Sequence, residues 1–162
     1  MGKAPDGYEL LKVLCSPKLI KDANREVATM SGLTDADIVF QSYGRCNSSA
    51  TFYDDFYEAF TGKSPAIAEK FVNTNMTRQQ VMLRGGIKWL LTYALGMLDA
   101  KLQELGKSHS RGGLNILPEW YDLWVEALME TVAKHDPKYT TELDDQWRRV
   151  MKPGIDLIKS HY

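Results

Sequence analysis

The sequence has few of the residues that build disulfide frameworks and zinc centres. Its 162 residues include only 2 cysteines, Cys15 and Cys46, and 3 histidines. A site of four thiolates is therefore excluded, and a chain of this length can bury a core without disulfides. We expect both cysteines to be free thiols.

An excess of one charge and long apolar runs are also lacking. Lys and Arg number 20 against 21 Asp and Glu, which gives a net charge of −1. Such a chain has no overall field for nucleic acid or an anionic membrane. No window approaches the roughly 18 uninterrupted apolar residues of a membrane span, and no signal-peptide pattern opens the chain. These absences predict a single globular domain in the cytoplasm, with no nucleic-acid or membrane partner.

Strand signals are nearly absent too. Apolar residues recur at steps of three and four, and no Asn-Gly or Asp-Gly turn separates alternating runs. The pattern predicts an all-helical protein. Caps and turn residues, including Thr34, Ser48 or Ser49, and Pro65, delimit the helices. We expect helices near 34–45, 48–61, 65–71, 76–95, 99–110, 118–134 and 141–159, preceded by an N-terminal helical extension over residues 1–33.

One of the three histidines lies on an apolar helical face. His109 follows Leu102 and Leu105 by seven and four residues, so the three side chains share a face of a helix that ends before a Gly-Gly pair. His135 and His161 are expected to be solvated. By position alone, His109 is a partly buried histidine bonded to a carbonyl oxygen. The residues around it favour another role.

Those residues resemble a landmark segment of the globins. Leu105-Gly-Lys-Ser-His109 is similar to the segment that carries the proximal histidine, and Pro118-Glu-Trp-Tyr121 resembles the Pro-x-x-Tyr that opens helix G in bacterial globins and globin-coupled sensors. Upstream, Phe56-Tyr57-Glu-Ala-Phe-Thr-Gly-Lys-Ser-Pro65 is similar to the stretch from helix B to the proline of helix C. Phe71 falls where globins keep a phenylalanine against the haem. Residues 34–159 therefore resemble the globin superfamily, with its three-over-three helical sandwich and a globin domain over residues 34–162.

The resemblance implies a haem b cofactor, iron protoporphyrin IX, with His109 as the proximal ligand of the iron. Haem iron held by a neutral imidazole keeps its sixth position open for a diatomic ligand. Tyr121 is expected near His109, and Ser108, Arg111 or a backbone carbonyl is expected to orient the imidazole or hold a propionate. The side chains expected to keep the pocket dry are those of Phe71, Leu83, Ile87 and Ile116, with Leu83 above the iron.

The resemblance also implies polar groups on the distal side. Tyr57 takes the distal tyrosine position, and Tyr53, one turn earlier, is the alternative. Gln79 is the first candidate in the next helix, while a shift to Gln80, or to Met82 over the iron, stays open. A phenol O–H and an amide N–H both suit the partly negative terminal oxygen of bound O2.

A globin of this type is expected to bind O2, CO and NO reversibly, as a gas sensor domain or an oxygen-binding protein rather than as an enzyme by itself. Two alternatives are an NO dioxygenase or peroxidase-like enzyme that needs an external reductase, and a haem-free helical interaction module. Sensor globins commonly dimerise through their last two helices. By analogy, the faces around Trp120, Trp124, Trp147 and Met151 are candidates for a homodimer contact.

Overall fold

Residues 32–162, which the computed structural model describes, contain helices and no strands. The helices in that range are α1 Asp35–Asn47, α2 Phe52–Gly62, α3 Pro65–Phe71, α4 Met76–Ala94, α5 Ala100–His109, α6 Trp120–His135 and α7 Thr141–Lys159. The all-helical prediction is confirmed. None of these helices is long and apolar enough to cross a membrane. Residues 1–31 of the predicted N-terminal extension, with Cys15, lie outside the described residues, whereas Cys46 is a buried free thiol.

The starts of α2 and α3 show where capping chemistry can be predicted from sequence. Pro65 occupies the first turn of α3 as expected, and the Ser64 side chain accepts a hydrogen bond from the backbone there. The prediction for α2 was wrong, because this helix starts at Phe52 and not at the serines 48 and 49. The Ser48 hydroxyl instead donates to the carbonyl of Arg45 at 2.6 Å, which closes the end of α1.

The last helix, α7, packs mainly against three of the earlier helices. α7 packs against α1, α4 and α5, while α2 packs along α6. Gly154 lies where α7 meets α4 and α5, and a Cβ there would lie 2.6 Å from Leu90 Cδ2 and 3.2 Å from Leu102 Cδ1. The missing side chain allows the close approach of α5, the helix that ends in His109.

A buried carboxylate connects α1 to the end of α6. Asp136 is 3% exposed and accepts hydrogen bonds from Ser42 Oγ at 2.6 Å and from Arg45 Nε and Nη2 at 2.6 and 2.8 Å. Trp147 of α7 donates to the same Ser42 oxygen at 2.9 Å. Burial opposes ionisation of Asp136, but the Arg45 and Ser42 donors outweigh it and hold its pKa below the ordinary value. The Asp136 carboxylate therefore joins the end of α6 to α1 directly, and to α7 through Ser42.

His135 is not solvated, contrary to the prediction from its loop-like neighbours. Its Nε2 lies 2.6 Å from Asp55 Oδ2, and 9% of its side chain is exposed. Its ring packs edge-on against Phe52, with centroids 5.6 Å apart. Lys134 Nζ lies 2.9 Å from the other Asp55 oxygen, and donation from Lys134 and His135 lowers the pKa of Asp55. This pair joins the end of α6 to α2.

We expect Asp136→Ala to lower the free energy of unfolding by about 2–4 kcal/mol, because it leaves Arg45 and Ser42 without their acceptor. Urea unfolding of the ligand-free chain measures the loss. The matched control is Asp156→Ala, which removes an exposed carboxylate 2.7 Å from Lys152 and should cost less than about 1 kcal/mol. Equal losses for the two variants would show that the Asp136 cluster adds nothing beyond a surface ion pair.

Candidate functional site

A cavity of about 330 Å³ lies among the helices and reaches the surface. Its volume is in the range of small-molecule sites, which is about 300–1,000 Å³. Most of its wall is apolar, and the deeper apolar side chains are Phe56, Phe60, Ile67, Leu90, Leu105, Trp124, Ile155 and Ile158. A few polar side chains interrupt this wall, and these determine what the cavity can bind.

Seven of the eight predicted site residues line this cavity: His109, Tyr57, Phe71, Gln79, Leu83, Ile116 and Tyr121. The eighth, Ile87, is completely buried and lies outside the wall, to which its neighbour Gly86 contributes. The two alternatives left open in α4, Gln80 and Met82, lie in different surroundings. Gln80 donates from Nε2 to Asp54 Oδ1 at 2.5 Å, away from the cavity. Met82 lines the cavity beside Leu83 and is 52% exposed.

His109 presents a half-buried imidazole at the end of α5. Its Nδ1 lies 2.9 Å from the hydroxyl oxygen of Tyr121. Burial lowers the pKa of His109, so the ring is neutral at pH 7, and burial raises the pKa of Tyr121, so the phenol keeps its proton. A neutral imidazole with one nitrogen in a hydrogen bond is the usual arrangement of a histidine that binds a metal ion through the other nitrogen.

The chain after His109 folds back onto the end of α5. The amide of Leu114 donates to the carbonyl of Ser108 at 2.8 Å, and the amide of Ile116 donates to the carbonyl of His109 at 3.0 Å. The second bond places Ile116 in the cavity wall beside the imidazole. Gly113 makes this turn possible, because a Cβ at that position would clash with the carbonyl oxygen of Ser108.

Tyr57 supplies a hydroxyl to the wall on α2. Its side chain is buried, and its ring packs edge-on against Phe71 with centroids 5.4 Å apart. The hydroxyl donates to the carbonyl of Gln79 at 3.2 Å. Burial raises the pKa of Tyr57 to about 12, so the group is a protonated donor at neutral pH.

Tyr53, the alternative distal tyrosine, does not line the cavity. Its hydroxyl oxygen lies 2.8 Å from that of Tyr43 and donates to Asn47 Oδ1 at 2.6 Å. The guanidinium of Arg84 lies 4.9 Å from the centroid of its ring. Arg84 is exposed and does not line the cavity, whereas Gln79 and Leu83 of the same helix do.

Comparison with known proteins identifies the family. No protein-family model matches the chain, and no curated protein matches it. A solved structure does match: protein PA3967 from Pseudomonas aeruginosa PAO1, described as structurally highly homologous to a human hemoglobin. It is 53% identical, with a TM-score of 0.78, and the match covers 80% of this chain and 98% of that chain. This chain belongs to the globin family. The predicted family and fold class are thereby confirmed.

Two polar residues of this globin's cavity wall, Thr74 and Lys70, were not predicted from the sequence. Lys70 of α3 lines the wall and donates from Nζ to the carbonyl of Leu114 at 3.1 Å. The sequence did contain a signal for this position of Lys70. Lys70 follows the buried Ile67 by three residues, and residues three apart share a helical face. Ser108, which was expected near the imidazole or a propionate, instead donates from its hydroxyl to the carbonyl of Leu105 at 2.8 Å.

The last two residues of the described globin pack beside the proximal segment. The imidazole of His161, predicted to be solvated, lies so close to Gly106 that a Cβ there would clash with it. The Tyr162 hydroxyl donates to Asn115 Oδ1 at 2.9 Å. The guanidinium of Arg111 lies 5.0 Å from the centroid of the Tyr162 ring. Arg111, another residue expected to orient the imidazole or hold a propionate, is thus engaged with the C-terminal residues.

The four side chains suggested for a dimer contact pack within the globin itself. Trp147 and Met151 are buried in the core, and Trp120 and Trp124 line the cavity. A homodimer through the last two helices remains a prediction. The buried Trp147 and Met151 are not available for its contact, whereas Trp120 and Trp124 are partly exposed.

We expect Gly113→Ala to lower the free energy of unfolding by about 1–3 kcal/mol, because the new methyl group forces the turn away from the backbone of Ser108. The matched control is Gly112→Ala, where a Cβ meets nothing within 4 Å, and its effect should stay within about 0.5 kcal/mol. Denaturant unfolding of both variants measures the difference. A neutral Gly113→Ala would mean that the turn relaxes at no cost.

Proposed function

We propose that this globin binds haem b and, through it, binds O2, CO and NO reversibly as a gas sensor domain or an oxygen-binding protein. One observation carries the proposal. A neutral imidazole, His109, stands in the wall of an apolar cavity with its Nδ1 in contact with Tyr121. With the proton on Nδ1, the other ring nitrogen would hold the haem iron.

The other residues of the wall fit the same cofactor. Phe71, Leu83 and Ile116 offer apolar surface for a planar ring, and burying that surface stabilises a bound macrocycle by about 25 cal/mol per Å². When bound, haem iron with one neutral imidazole supplies a coordination position for a diatomic ligand. The chain would contribute the imidazole, the apolar walls and the exclusion of water.

Tyr57 gives the cavity a donor for a diatomic gas. Its hydroxyl is protonated and already turned toward α4, where it donates to the carbonyl of Gln79 at 3.2 Å. A rotation about its own C–O bond would direct the same proton to a gas molecule in the cavity. Such a hydrogen bond would favour O2 over CO as a haem ligand, because the terminal oxygen of bound O2 carries more negative charge than that of bound CO. The side chain of Gln79 would add an amide donor at the same wall.

The partner of His109 favours reversible binding over the enzyme alternative. Cleavage of an O–O bond is promoted by a strongly electron-donating proximal ligand. A carboxylate that accepts a hydrogen bond from the ring nitrogen not bound to iron makes the imidazole such a ligand, because it raises the basicity of the ring. Here that nitrogen contacts the phenol of Tyr121, which burial keeps in its neutral form. The proximal side therefore supports binding without strong activation of oxygen.

The absorption spectrum tests the proposal. After reconstitution of the full chain with haemin, we expect an intense Soret band and, after reduction, reversible shifts on adding O2 or CO. His109→Ala should lose most of the stoichiometric haem, because the axial nitrogen is gone. His135→Ala is the matched control, since His135 pairs with Asp55 away from the cavity. The absence of a Soret band in the unaltered chain would favour the haem-free interaction module, and a normal spectrum in His109→Ala would overturn the axial assignment.

We expect Tyr57→Phe to speed O2 dissociation roughly ten- to a hundredfold, which corresponds to losing about 1.5–3 kcal/mol from one hydrogen bond to a partly charged ligand. CO dissociation should change less. Stopped-flow replacement of O2 by CO measures the rate. Tyr53→Phe removes a hydroxyl that contacts Tyr43 and Asn47 outside the cavity, and it should leave the rate unchanged. A larger effect of the Tyr53 variant would contradict the assignment of Tyr57 as the distal donor.

A further inference from the structure

A lysine stands in the mostly apolar part of the cavity wall that the structure describes. Among the described residues that line the cavity, Lys70 is the one lysine or arginine, and no aspartate or glutamate lies beside it in that wall. Lys70 and Leu114 are both exposed, so the bond between Lys70 Nζ and the Leu114 carbonyl, 3.1 Å long, lies at the solvent edge of the cavity. The charge therefore stands at the mouth and the apolar surface lies behind it.

The acceptor that Lys70 contacts does not neutralise its charge. A backbone carbonyl is neutral, and the bond to Leu114 uses one of the three N–H donors of the ammonium group. The other two donors can bind an anion without breaking that bond. A carboxylate in that place would gain a charge-assisted hydrogen bond, which is stronger than the bond to a neutral acceptor.

We propose that Lys70 binds a carboxylate of the cavity's ligand and thereby sets which edge of the ligand faces the solvent. This inference rests on the function proposed above, in which the carboxylate is a propionate of haem. The inner wall of the cavity is mostly apolar and Lys70 lies at its mouth. An amphipathic ligand would therefore place its apolar body inside and its acidic edge beside Lys70.

The same lysine connects the two sides of the cavity mouth. Lys70 belongs to α3, whereas Leu114 belongs to the turn that places Ile116 beside His109. A carboxylate held by Lys70 is therefore attached both to α3 and to the segment that orients the imidazole. Arg111, the cation nearest in sequence to this turn, lies over the ring of Tyr162 and is engaged elsewhere.

The test compares haemin with haemin dimethyl ester, in which both carboxylates are masked. The full chain is loaded with each compound, and its transfer to an excess of apomyoglobin is followed by absorbance. We expect Lys70→Met to release haemin about two- to fivefold faster than the unaltered chain, the range for one exposed charge pair. We expect the dimethyl ester to leave both proteins at the same rate, because no carboxylate remains for Lys70 to bind.

Two further variants separate a charge effect from a structural one. Lys70→Arg keeps the charge and should restore the slow release of haemin. Lys88→Met removes an exposed lysine of α4 that does not line the cavity, and it should change neither rate. Faster release of haemin and of its ester alike would show that Lys70 only holds the turn at Leu114, and unchanged release of haemin would also overturn the proposal. If the unaltered chain takes up neither compound, the haem function itself fails and the role of Lys70 falls with it.

Discussion

The return of the chain from α5 to α6 determines where the half-buried imidazole of His109 lies, and the site depends on its position. The carbonyl of His109 accepts a hydrogen bond from the amide of Ile116 at 3.0 Å, and its Nδ1 lies 2.9 Å from the hydroxyl oxygen of Tyr121. Both partners follow His109 in the chain. The backbone and the side chain of this residue are thus held by one short segment, so a change in that segment would move the imidazole and the adjoining wall together.

Chemically identical side chains have different roles because their neighbours differ. Tyr57 and Tyr53 are one turn apart on α2, yet Tyr57 faces the cavity and Tyr53 contacts Tyr43. Four residues advance a helix by about 6 Å along its axis and turn it by only about 40°. The two hydroxyls therefore share a face of α2 but reach different partners at different levels. Tyr121 has a third role, since its hydroxyl contacts His109.

The parts of the structure predictable from sequence are those with local signals. The apolar spacing before His109, the proline at the start of α3 and the order of the landmarks located the helices and seven of the residues that line the cavity. Contacts between distant residues carried no such signal, and His135 was misjudged because Asp55 lies 80 residues away. Ile87 was expected in the wall because apolar spacing defines a broad helical face. Ile87 is completely buried but does not line the cavity, whereas Gly86 does. The apolar face of α4 therefore includes residues that pack in the core without reaching the cavity.

Ion pairs and apolar surface stabilise different parts of this globin. Arg45–Asp136 and His135–Asp55 join α1 and α2 to the end of α6, away from the cavity wall. The rim of the cavity includes Met82 and Leu114, whose side chains line it and yet are 52% and 58% exposed. Their apolar surface leaves water only when a ligand covers it, so a bound ligand contributes stability at the rim in proportion to the surface it buries. Since a ligand that binds the folded chain alone also shifts the folding equilibrium by mass action, occupation of the cavity would stabilise the segment that holds His109.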